Sequence, residues 1–420
     1  MLRLTFTVVL LFTISSLSAP SNAQDWTRFR GPNGTGVVEG ADLPTSLEQP
    51  LWTKKLAGIG NSSPVAWGDR IFVTSCDMQT AELRLQCLSA NDGAENWIRL
   101  FESTPYHLHG RNTFAASTPA VDQEHVYACI ADLGHTVLVA LDHEGEEVWR
   151  RDFGSFASSH GFAASPIVYG DLVILCHSQA KKQLPAGVAP GQSSLIAVNR
   201  TTGEDVWSLD LTTSRVCYGV PCVWKSGDGK EQLVNCNTGD GFYGVDPETG
   251  IMRWSALPFK KRVVATPLVA SDLLIGSCGS GGGGNYLVAI NPDKFAAGAS
   301  EENAQPSYTV RSSNYVPCPI AVGDLLFIFN DKGVVQCVDL KTGKPHWKQR
   351  VSAGFSGSPV TNGTHVYVAD DEGTVYVIKV DEAFEQVGKS SLGEPTRATP
   401  MIAGDKIFFR TDSQLMCFGK

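Results

Sequence analysis

The sequence has no positive charge to spare: 34 Lys and Arg stand against 43 Asp and Glu, a formal net charge of −9. An acidic chain has no general attraction for nucleic acid or anionic lipid, so neither is expected as a partner. Long apolar runs are missing beyond the first two dozen residues, and with them any expected transmembrane span. Common catalytic motifs are missing too. Residues 279–284 are glycine-rich but lack the Lys-Ser/Thr pair and strand-to-helix setting of a phosphate loop. Ser158, Ser159 and His160 have no Gly-x-Ser-x-Gly elbow and no placed acid, which argues against a hydrolase. His107, His109 and His160 lack the spacing of a zinc site, so no metal is expected.

What the chain does have starts with a leader. Arg3 precedes an apolar run over residues 4–14, and Ser21, Asn22 and Ala23 supply small residues before Gln24. This pattern predicts a signal peptide, residues 1–23, cleaved after Ala23, with residues 24–420 as one exported, periplasmic or secreted, domain. No cysteine stands at the cleavage point, so lipidation is not expected.

The rest of the chain repeats. Prolines open a unit at 64, 119, 166, 221, 267, 319, 359 and 400, most of them after Ser or Thr. Tryptophans at 52, 97, 149, 207, 254 and 347 close units, and the fifth and seventh units lack one. Between them run period-2 apolar stretches split by Gly-Asp turns (68–69, 170–171, 323–324, 404–405), which read as hairpin strands. A unit of some 40 to 55 residues lies in the range of propeller repeats. Trp52 closes a unit that was never opened, and the last unit, from Ala398, opens without a closing strand. The stretch around Trp52 is therefore predicted to complete the last sheet, giving an all-β, eight-bladed β-propeller of four-stranded antiparallel blades without exposed ends.

The repeat register also assigns roles. Aspartates in turns such as 246–250 (DPETG) and 339–343 (DLKTG) are turn formers rather than acids or bases. The tryptophans are expected as struts between blades. Ten residues ahead of the tryptophan slot stand Cys87, Ala197, Gly244 and Cys337, with Ala289 and Cys417 placed there by pattern. That slot wants a small residue, and most of the eleven cysteines read as buried free thiols. Cys222 and Cys236, flanking one hairpin, are the one pair in position for a disulfide.

The opening-proline strand, the D-x-x-T-G-x-x-x-W ending and the eight copies resemble the pyrroloquinoline-quinone-type (PQQ-like) β-propeller repeat family. Residues 25–36 (DWTRFRGPNGTG) and 109–119 (HGRNTFAASTP) are similar to an exported single-domain branch seen in planctomycete-type genomes. The resemblance spans essentially all of residues 24–420. It implies either a quinone-dependent alcohol or sugar dehydrogenase, with PQQ as cofactor, or a non-catalytic member such as the scaffold of outer-membrane barrel assembly. The chain departs from the dehydrogenases in having no adjacent cysteine pair and no Cys-x-x-Cys-His, and in lacking the insertions that carry their calcium ligands and base. The expectation is a binding or scaffold module rather than an enzyme, with an envelope protein or an anionic small ligand as partner.

Ligands of propellers gather where the links between blades converge on the axis. Those links carry His109, Arg111, His160, Arg215, Arg262, Tyr315 and Arg397, and few acids. These seven are the candidate contact set, because convergent guanidinium groups favour carboxylate or phosphate.

Overall fold

The structure is a computed structural model and describes residues 25–295, 298–302 and 304–420. The expected signal peptide and its cleavage point lie outside these residues. Eight antiparallel sheets follow one another along the chain, at 65–101, 120–152, 167–211, 222–256, 262–311, 320–350, 360–391 and 401–419. They are blades 1 to 8 of a propeller. Trp52–Lys55 is the outermost strand of blade 8, with Trp52 opposite Cys417, so the ring closes as the repeat phase predicts.

Burial explains the strand sequences. In blade 6 the middle strands Leu325–Phe329 (LLFIF) and Val334–Asp339 (VVQCVD) are covered on both faces by neighbouring blades and are apolar almost throughout. The outer strand Pro345–Arg350 (PHWKQR) meets solvent and is polar around its tryptophan. Part of the insertion in blade 5 returns to blade 4, where Ser300–Glu301 pairs in parallel with Met252–Ala256 as a fifth strand.

Two kinds of contact seal the seams between blades. In the first, five of the six closing tryptophans reach the last turn of the next blade, while Trp254 of blade 4 donates to Gln232 of its own blade (2.8 Å) and stacks on Phe295. The indole N–H donates to a backbone carbonyl there: Trp97 to His143 (2.8 Å), Trp149 to Arg200 (3.0 Å) and Trp207 to Pro247 (2.9 Å). The ring lies flat on the turn glycine. A Cβ on Gly203 would stand 2.7 Å from the Trp149 ring, and the glycine's φ of +72° is already unfavourable for an L side chain. The small-residue slot sits across the strand pair from the indole, as in Cys87–Trp97, Ala197–Trp207 and Cys337–Trp347. The two units without a tryptophan fill its place differently. Tyr308 occupies it in blade 5 and lies against Gly343 of blade 6. In blade 7 the slot holds Gly388, and the backbone of Thr45 packs directly on it.

The second seal runs around the axis. The Ser or Thr before each opening proline accepts the backbone N–H of the equivalent residue one blade back. Thr399 donates to Ser63 (3.0 Å), Ser63 to Thr118 (2.9 Å), and Thr118 to Ser165 (3.0 Å). Val220 donates to Thr266 (3.1 Å), Cys318 to Ser358 (2.9 Å), and Ser358 to Thr399 (3.0 Å). Blades 4 and 6 have Val220 and Cys318 in the slot, so the belt is broken there.

At those two blades the stretch over residues 25–38 enters the channel. Trp26 bridges Ala66 of blade 1, and Thr27 accepts from Val121 of blade 2. Arg28 donates to the carbonyl of Pro221 (2.6 Å) and Arg30 to that of Pro319 (2.8 Å), the opening prolines of blades 4 and 6. Gly36 and Val38 then pair with Thr361 of blade 7. The segment is a strap across one end of the channel. Burial pushes the Arg28 guanidinium below its usual range, and carbonyl dipoles rather than carboxylates hold both arginines.

All eleven cysteines are buried and free. The disulfide expected between Cys222 and Cys236 is not formed. Cys222 lies opposite Val234 in the strand pair, its thiol facing the carbonyl of Pro267 and the Arg28 side chain. The Cys236 thiol instead faces the carbonyl of Ala265. Near-mirror positions on a hairpin are not paired positions when the register is offset by two.

Two outcomes follow. Gly203→Ala should cost at least about 2 kcal/mol in denaturant unfolding, from backbone strain plus the clash with Trp149. Gly170→Ala, with similar φ but open space, should cost about 1 kcal/mol; equal costs would remove the indole docking from the account. A thiol reagent should find no reactive cysteine in the folded protein and eleven after denaturation, and reductant should not move the unfolding midpoint.

Candidate functional site

Each link between blades leaves an outer strand, crosses the upper face and descends into the next innermost strand at its proline. Side chains on the links therefore meet near the axis. They frame a bowl of about 720 Å³, and His109, Arg111, His160, Arg215, Arg262, Tyr315 and Arg397 all line it. The eight residues before the opening prolines also line it, so every blade contributes to its wall. Phe29 of the strap closes its lower end.

The best-ordered part lies between the links entering blades 3 to 5. Arg262, only 7% exposed, is held by the carbonyl of Val216 through Nε (3.0 Å) and Nη2 (2.7 Å), and its guanidinium lies 5.8 Å from the Tyr218 ring centroid. Its Nη1 donates to Nε2 of His160 at 3.2 Å. Because arginine can only donate, His160 Nε2 carries no proton, and the neutral ring has its hydrogen on Nδ1, facing the Ser159 hydroxyl at 2.9 Å. Burial first, then Arg262 and the neighbouring His109, Arg215 and His107, brings His160 down to about 4. His109 stacks on it, ring centroids 5.5 Å apart. With both nitrogens of His160 engaged, the pair is not a metal chelate, and no group of three His, Cys, Asp or Glu suited to a metal exists among the described residues.

The other cations are less tied. Arg215 is exposed and its side chain donates to Gln183 (3.3 Å), Arg111 lies 3.8 Å from Asp371, and among the described residues Nε of Arg397 is buried without a hydrogen-bond partner. Other link residues fall elsewhere: Phe355 is core, and Asn314 is buried on Ser277 and Pro317.

Several lining residues were not in the candidate set. Asp331, Lys332 and the Ser280–Gly281 turn lie on hairpin loops within blades 5 and 6, which rise to the same face as the links. The spacing of Asn330 to Gly333 between two apolar runs could have placed them. Phe29 could not be found this way, because nothing local says that its strap crosses the axis.

Asp331 is the one carboxylate among the lining residues, and the N–H groups of Tyr315 (2.8 Å) and Val316 (3.1 Å) cap its oxygens. Burial raises it above the ordinary aspartate value. A calcium-held quinone needs several oxygen donors beside the ring. Amide and hydroxyl oxygens line the bowl, but Asp331 is its one carboxylate and is already capped, so the charge that a calcium ion needs is missing and the residues present do not fit such a cofactor.

A family profile described as outer membrane protein assembly factor BamB matches residues 35–217, 84–281, 191–313 and 300–418. The outer membrane protein assembly factor BamB of Burkholderia pseudomallei is 26% identical over 109 residues, spanning 26% of this chain but only 28% of that protein. Its namesake from Shewanella oneidensis is 22% identical over 299 residues, 70% of this chain and 71% of that protein. Among solved structures, BamB from Moraxella catarrhalis superimposes with a TM-score of 0.61 at 15% identity, covering 89% of this chain and 98% of that one. Quinohemoprotein alcohol dehydrogenase from Comamonas testosteroni gives 0.66 at 11% identity, covering 95% and 81%. At these identities both structures bear on the fold alone.

The histidine makes a pH prediction. A folded value of about 4 against the ordinary 6.5 means that the unfolded chain binds the extra proton between those values, so His160 withdraws stability as pH falls from about 6.5 towards 4. His177, also brought down to about 4 by burial, acts in the same window, while His135, raised by Asp152, acts against them. His160→Gln should flatten the acid limb of stability against pH, and the His160 ring resonance should stay neutral at pH 5.5. A titration midpoint near 6.5 would contradict the Arg262 contact.

Proposed function

The chain belongs to the family described as outer membrane protein assembly factor BamB, and from that membership we propose that it is a non-catalytic binding module of the cell envelope, working as a scaffold for a partner protein. The observation that carries this reading is the bowl: a blind site built from all eight blades, rich in hydrogen-bond donors and cations, with both nitrogens of His160 engaged, Asp331 capped by backbone N–H groups and no metal-ligand cluster among the described residues. The name of the matched family points to protein partners in the envelope, and no helix among the described residues is long and apolar enough to cross a membrane. The leader expected at residues 1–23 would agree with this placement.

The quinone-dependent oxidoreductase remains the alternative to exclude, because the propeller is shared with such enzymes. Purified protein mixed with pyrroloquinoline quinone and calcium should show no saturable change in quinone absorbance and no dye reduction with alcohols or aldoses. Turnover would overturn the scaffold reading. In the producing cells, a photo-crosslinking residue at Arg215 on the bowl rim should give a discrete adduct with an envelope protein. The same residue at Val148, exposed on the outer edge of blade 2, should not. Identical patterns from both positions would count against the bowl as the binding face.

A further inference from the structure

The belt that seals the inner seam has a second property. Six hydroxyls, those of Ser63, Thr118, Ser165, Thr266, Ser358 and Thr399, each spend an oxygen lone pair on a backbone N–H. None of them donates its own hydrogen to another group among the described residues, whereas the adjacent Ser62 and Ser117 donate theirs to the carbonyls of Thr74 and Ala164. All six line the bowl. A hydroxyl whose oxygen is already accepting is left to act as a donor. The wall of the bowl is thus a ring of O–H donors, set above an apolar floor at Phe29.

The rim continues this polarity. Arg262 is locked in place by a carbonyl, a neutral imidazole and an aromatic face, with no carboxylate partner. Arg215, Arg111 and Arg397 join it from links spread around the ring, and Lys332 comes from blade 6. Against them stand Asp331, already capped, and Asp371, 3.8 Å from Arg111. Donors therefore sit at two levels. Arg111 shares a link with Thr118 and Arg262 with Thr266, and Arg262 pairs with Gly279 at the end of the strand that Leu268 joins lower down, so the rim guanidinium groups come ahead of the hydroxyls on the descending links. A ligand that satisfies both levels must be rich in acceptors along its length and must end inside the bowl, since the strap closes the far side.

Resting on the scaffold reading above, we infer that the bowl receives the acidic carboxyl-terminal tail of a partner polypeptide. Its terminal carboxylate sits among the belt hydroxyls, and its acidic side chains meet the arginines of the rim. A compact polycarboxylate could use one level but not both. A mid-chain loop would have to bring two strands through the opening. Charged acceptors make the stronger hydrogen bonds to such donors, and the concave wall concentrates the field of the arginines on the entering chain.

The test uses a short fluorescein-labelled peptide of glutamates and leucine ending in a free carboxylate, its carboxy-terminal amide, and a version with lysine for glutamate. Binding to the purified protein is read by anisotropy. The free acid should bind, and the amide should lose about tenfold or more. The lysine version should not bind, and added salt should weaken the acid. Arg215→Gln, an exposed change that leaves the packing intact, should weaken binding several-fold, and Arg262→Gln should do so more strongly if circular dichroism shows it folded. Equal binding of acid and amide, or no binding of either, would overturn the inference. Binding of citrate without the peptide would overturn it in favour of a small-molecule occupant. In each case an Arg215 cross-link to an envelope protein would leave the scaffold reading standing, so the two failures are distinguishable.

Discussion

A four-stranded blade has two apolar faces and can cover neither alone, so the fold depends on the seams between blades. Most seams are closed near the rim by an indole lying on the next blade's turn and near the axis by a hydroxyl accepting a neighbour's N–H. Both contacts point the same way around the ring. The exceptions show how strongly closure is demanded. Where the tryptophan is missing, Tyr308 or the backbone of Thr45 takes its place. Where the hydroxyl is missing, at Val220 and Cys318, the carbonyls of the adjoining prolines receive Arg28 and Arg30. A local departure from the repeat is met by another part of the same chain.

The two seals have different consequences for function. The outer one stacks an indole on the next blade's turn and fixes the spacing of blades. The inner one places polar groups of six blades around the channel and leaves each with a hydrogen to offer, so the contact that makes the ring rigid also sets the chemistry of its centre. The links above are free to differ, and they carry the asymmetry: an ordered Arg262–His160–Tyr218 group on one side, looser arginines on the other. A rigid eightfold wall beneath a variable rim suits a module that binds without reacting.

The number of blades and the manner of closure were legible in the sequence because the repeat has fixed punctuation, and because Trp52 lies out of phase with the prolines. The seven rim residues were legible for the same reason: once the register is known, the links are known, and the links converge. Asp331 and Lys332 escaped because they sit on hairpin turns within a blade, which that reading left aside. The strap escaped for a different reason. Its partners lie hundreds of residues away, Arg30 to Pro319 for example, and no periodicity marks a segment that occurs once. The Cys222–Cys236 pairing failed on register: two residues of offset in a β-hairpin leave the thiols facing different neighbours.

The strap and the closing strand bear on the order of assembly. Trp26 and Thr27 pair with blades 1 and 2, but most of residues 28–55 find their partners in blades 4, 6, 7 and 8, the later half of the chain, so early blades wait with one face bare and the axis unsealed. Such long-range contacts make for slow folding and a prolonged aggregation-prone stage. A chain with this architecture gains from being kept unfolded until its last sheet is available, which is the condition of a polypeptide threaded through a translocation pore and released whole on the far side.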